Sequence, residues 1–77
     1  MSERHPATNH LLSQFAYGHL PEHLMNISRM ASGLAVQMIE QLDDGPELTA
    51  GLRKLLEAKD CFVRQAVIDH RSSEAAR

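Results

Sequence analysis

Tyr17 and Arg29 stand twelve residues apart, one before and one after Pro21, and their chemistry suits a planar anion. A tyrosine in a loop either caps the edge of a core with its hydroxyl wet or offers a ring face to a nucleobase, a stack worth about 1–3 kcal/mol. An arginine forks onto phosphate oxygens or settles into a surface ion pair, for which Glu22 and Glu40 are the nearby partners. Lys59 poses a similar choice. Plotted at 100° per residue it falls at the centre of an apolar arc beside Leu55, Phe62, Val63 and Ala66, and a buried ammonium is costly unless paired. Its stem packs while its charge reaches an edge or a carboxylate, or it faces a cavity between copies of the chain and holds an anion.

Other reactive groups carry less. The five histidines, His5, His10, His19, His23 and His70, include one pair spaced by four, but Pro21 separates His19 from His23, and no HExxH, CxxC or matching carboxylate supports a metal. Cys61 lies beside Asp60, which disfavours a thiolate. There is no GxSxG, no glycine-rich phosphate loop and no paired-carboxylate constellation. The expectation is a protein that is not an enzyme and needs no metal or cofactor.

The elements that position these residues are helical. From Leu20 to Leu42 the apolar residues fall at Leu20, Leu24, Ile27, Ala31, Leu34, Met38 and Leu42, an amphipathic pattern that predicts a helix over 20–43, about 35 Å long. Met25, Ser32, Val36 and Ile39 mark a second apolar face around Arg29. "DDGP" ends this helix; Asp44 and Glu47 have capping-box spacing, with Pro46 in the first turn of a second helix over 46–70. The face of that second helix is built from Leu48, Leu52, Leu55, Leu56, Phe62, Val63, Ala66 and Val67. "NHLLSQFA" predicts a short helix over 9–16, after which Gly18 gives the bend its freedom. Residues 1–8 read as a flexible arm and 71–77 as a frayed tail.

The chain reads as one all-α domain spanning its 77 residues, an antiparallel two-helix hairpin with a short N-terminal helix. So small a domain buries only about 60% of its unfolded surface, and its single cysteine rules out an intramolecular disulfide. Association with copies of itself is the expected remedy, giving a compact homo-oligomer. A net charge of −2 gives no bulk attraction for DNA or anionic lipid, and no stretch matches a signal peptide or membrane span. A soluble cytoplasmic protein is expected.

Taken together, "AYG", "LMNISR", "LAVQMIE" and "LRKLLEAKDCFVRQAV" resemble, over about Ser13 to Ile68, the phage anti-CBASS sponges. These small helical proteins, related to the Thoeris anti-defence sponges, bind the cyclic nucleotide messengers of bacterial immunity without cleaving them. The resemblance implies a homo-oligomer, typically a hexamer, acting in the host bacterial cytoplasm and enclosing cyclic dinucleotides such as cGAMP at protomer interfaces. It assigns base stacking to Tyr17 and phosphate binding to Arg29. For a second pocket class, taking cyclic trinucleotides, it points to Arg64 and Lys59. The basic residue is arginine where the family pattern has lysine, and the interval from Tyr17 to Arg29 is shorter, which makes Phe15 the reserve stacking candidate. The alternative is a structural or regulatory helical hairpin that binds another protein through Met25, Val36 and Ile39.

Overall fold

The computed structural model describes residues 6–75. They form α1 (Pro6–Ser13), α2 (Glu22–Gln41) and α3 (Pro46–Ala75), with no strand among the described residues. The chain is all-helical, and α3 is the element against which both α1 and α2 pack. Residues 42–45 join the end of α2 to the start of α3, while His23 at the beginning of α2 lies ring to ring with His70 near the end of α3.

Local chemistry accounts for the helix ends. Pro6 opens α1, where a missing N–H costs nothing. The helix closes as Ser13 donates its hydroxyl to the His10 carbonyl at 2.6 Å, and Gln14 and Phe15 donate N–H to Leu11 and Leu12 at 3.1 and 3.0 Å. This tightening to three-residue bonds turns Phe15 inward. Helix α2 starts at Glu22 rather than residue 20, because Pro21 is its N-cap: its carbonyl accepts from Leu24 and Met25 at 3.0 and 2.8 Å. It ends at Gln41, where Leu42 turns extended at φ −124° and ψ 149°.

Several sequence expectations change. Pro6, Ala7 and Thr8 are helical, and Thr8 is fully buried, so these three do not belong to the arm expected over 1–8; residues 1–5 lie outside the described part. At the other end α3 runs to Ala75, through much of the expected frayed tail. "RSSEA" contains no glycine or proline to stop it, and Arg, Glu and Ala are good helix formers; residues 76 and 77 lie outside the described part. The capping box is out of register. Gly45 is the N-cap of α3, its carbonyl accepting from the Thr49 N–H at 3.1 Å and the Thr49 hydroxyl at 3.2 Å. Asp44 sits one residue earlier and accepts a long 3.4 Å bond from the Thr8 hydroxyl, tying α1 to the turn. No described residue has a positive φ, so Gly18 is not held in a left-handed conformation.

Packing changes the reading of α2 most. The core is Leu11, Phe15, Ala35, Ile39, Leu48 and Leu52, with Leu12, Ala31, Leu55 and Leu56 against it. On α2 the buried residues are Ser28, Ala35 and Ile39, a strip of mostly small side chains between the two apolar faces read from sequence. Small residues let neighbouring backbone and the Phe15 ring come close, and close packing outweighs the larger side chains of the expected stripe. Leu34, Met38 and Leu42 are consequently 41–48% exposed. Ile39 is buried at 7%, so it does not belong to the outer face with Met25 and Val36. Phe62, expected in the core face of α3, is 63% exposed on its flank.

Two local costs remain in this packing. The Ser28 hydroxyl is wholly buried with no hydrogen-bond partner, a loss of about 1–3 kcal/mol of solvation. Ser28→Ala is therefore expected to raise the urea midpoint, by about 0.5–2 kcal/mol of stability, with m unchanged; a lower midpoint contradicts the unpaired hydroxyl. Gly51, inside α3, costs about 1 kcal/mol relative to alanine, yet a Cβ there meets nothing within 4 Å. Nothing among the described residues requires the glycine.

Candidate functional site

The site is built from the segment between α1 and α2. Phe15 anchors that segment, its ring 1% exposed. Ala16 and Tyr17 follow outside any helix, and a turn closes when the Leu20 N–H donates to the Tyr17 carbonyl at 3.1 Å. Tyr17 is left half-buried at the outer edge, beside the first two turns of α2. Arg29 projects from α2 with its guanidinium carbon 5.6 Å from the Tyr17 ring centroid, within range of a cation–π contact. Neither Glu22 nor Glu40 pairs with it. An exposed contact of this kind is worth about 0.5–1 kcal/mol, less than a charge-assisted hydrogen bond to an anion at about 1.5–3 kcal/mol. Arg29 is thus placed near the ring but lightly held there.

The other sequence candidates are not brought to this pair by any contact. Phe15 is a core residue, with no ring face open to a ligand while the core is closed. Lys59 packs its stem, its side chain 13% exposed, and reaches Asp60 with Nζ 2.9 Å from Oδ1. Of the two readings of Lys59 this geometry is the paired one. Arg64 is exposed on the outer side of α3 and donates through Nη2 to the Cys61 sulfur at 3.2 Å. Its neighbour Gln65 bonds Asp69 at 2.8 Å.

The sequence reading missed the stacked His23–His70 pair, with centroids 4.0 Å apart and planes 12° from parallel. A signal for half of it existed: His70 follows Leu52 by eighteen residues, five full helical turns, and so lies along the same line of α3. Nothing local predicts that His23 meets it, because that contact depends on how α2 lies on α3. Among the described residues no three His, Cys, Asp or Glu side chains are grouped to hold a metal ion. No described helix is long and apolar enough to cross a membrane. No family model, characterised protein or solved structure matches the chain.

Proposed function

We propose that this protein is a sponge: it binds cyclic di- or oligonucleotide immune messengers and sequesters them without cleavage, so that CBASS effectors are not activated. The reading places it in the phage anti-defence group that the sequence resembles, acting in the bacterial cytoplasm as a homo-oligomer, with the hexamer as the expected form. It also takes α2 and α3 to be an antiparallel hairpin that serves as the unit of assembly. The observation that carries it is the juxtaposition of Tyr17 and Arg29 at 5.6 Å. A ring and a fork-shaped cation side by side match one half of a cyclic dinucleotide, a base and the adjoining phosphate. Two copies of the pair related by a two-fold axis match the whole ligand. Sequestration needs affinity without chemistry, so the reading asks for no acid, base or nucleophile at the pair. Lys59 and Arg64 are carried as the residues for cyclic trinucleotides, with Arg64 the more accessible.

The test is a thermal melt with and without a panel of cyclic dinucleotides, cyclic trinucleotides and cyclic ADP-ribose isomers. A ligand present at 100 times its Kd adds about 2.7 kcal/mol to the native state. Stabilisation by at least one cyclic nucleotide, with the ligand recovered intact, supports a sponge; a hydrolysed ligand indicates a nuclease, and no shift from any ligand rejects the reading. Tyr17→Ala removes one stack from each chain of the two-fold site and is expected to weaken binding by about 2–6 kcal/mol, or roughly 30- to 20,000-fold, while Tyr17→Phe keeps most of the affinity because the ring face is retained. Equal loss in both variants points to the hydroxyl instead of the stack.

A further inference from the structure

Opposite the Tyr17–Arg29 pair in character is a mostly apolar feature, with Asp43 and Glu47 at its edge. Leu34, Met38 and Leu42 of α2 and Leu48, Gly51 and Leu55 of α3 line an open groove of about 520 Å³. No α1 residue lines it. Phe62, 63% exposed, stands on the same flank of α3 as the groove: at 100° per residue Gly51, Leu55, Ala58 and Phe62 fall within an arc of about 60°. The order along that arc is small, large, small, large.

We infer that this face pairs with the same face of a second copy of the chain, with the two α3 helices antiparallel about a two-fold axis at the level of residues 56 and 57. In that register Gly51 lies opposite the partner's Phe62 and Leu55 opposite the partner's Ala58, and the two-fold axis repeats both contacts. Each large side chain meets a small one, as ridges and grooves of packed helices require. Each Phe62 ring enters the other chain's groove above Gly51, where a Cβ would meet nothing in the single chain. Gly51 has no side chain to obstruct the entering ring. The face matches itself in reverse order about one point, a property an isologous dimer demands and an unrelated partner does not.

From Pro46 to Phe62 the face runs about 24 Å along α3, across a molecule whose shorter dimensions are 21 and 18 Å. A stable interface takes about 800 Å² per partner, about one-seventh of this chain's 5654 Å². The pairing is independent of whether the Tyr17–Arg29 pair binds a nucleotide.

Sedimentation equilibrium of the full chain tests it, with circular dichroism to check that each variant folds. The wild type is expected at twice the chain mass of 8.6 kDa or an even multiple of it, and Phe62→Glu is expected to halve the mass with helicity unchanged. Gly51→Phe, which sets ring against ring, is expected to do the same. Combining Gly51→Phe with Phe62→Ala restores a large residue opposite a small one and is expected to restore the mass. A monomeric wild type, or an unaltered mass in Phe62→Glu, overturns the pairing. Dissociation by both single variants without recovery in the double variant overturns the antiparallel register.

Discussion

Arg29→Ala is expected to abolish cyclic dinucleotide binding while the oligomer mass stays as it is and the ligand-free melting temperature falls by at most about 2–8 °C. Arg29 is exposed, and its side-chain contact among the described residues is with Tyr17, so its removal costs at most about 0.5–1 kcal/mol of stability. The effect on the proposed ligand is far larger. A charge-assisted hydrogen bond is worth about 1.5–3 kcal/mol, and a two-fold site loses one from each chain, about 3–6 kcal/mol in all. That corresponds to a loss of roughly 150- to 20,000-fold in affinity. Isothermal titration with the cyclic dinucleotide that gives the largest thermal shift measures it directly. Arg29→Lys keeps the charge but loses the fork and is expected to fall between the two. Affinity unchanged in Arg29→Ala means that the phosphates are held elsewhere and removes the basis of the proposed site.

Phe15→Ala is expected to have the largest effect on stability. Its ring is 1% exposed at the centre of the core, in contact with a cluster drawn from all three helices. Removing a buried phenylalanine side chain costs about 3–5 kcal/mol, and a domain of this size has a total stability of only about 4–12 kcal/mol. The variant should unfold at a much lower urea concentration, or fail to fold. Phe15→Leu, which retains most of the apolar volume, is expected to remain folded at a smaller cost. The comparison with Tyr17→Ala separates two roles that sequence alone leaves interchangeable. If Phe15→Leu lowers nucleotide affinity while the urea midpoint holds, Phe15 is a ligand residue and its placement in the core misses its function.

The two predictions concern residues only fourteen positions apart in a segment where the sequence is ambiguous. Phe15, Tyr17 and Arg29 each admit a structural and a functional role from their types and spacing. The structure separates the three by burial and proximity: Phe15 inside, Tyr17 at the edge, Arg29 beside it. Lys59 likewise admits two roles from sequence, a packed or paired cation or an anion holder, and in the fold it reaches Asp60.

The sequence by itself determined the helical class and the approximate extent of α2 and α3, because a 3.6-residue apolar period, Pro21, Pro46 and the "DDGP" break are local signals that act through neighbouring residues. Only the tertiary structure decided which face of α2 is buried. Leu34, Met38 and Leu42 are better candidates by hydrophobicity, but Ser28 and Ala35 are small enough to let the helices close on one another. How tightly two surfaces fit is a property of both together, and a single helix's pattern does not contain it. The same holds for the Tyr17–Arg29 contact and the His23–His70 stack, which join residues whose distance is set by how the helices lie on each other.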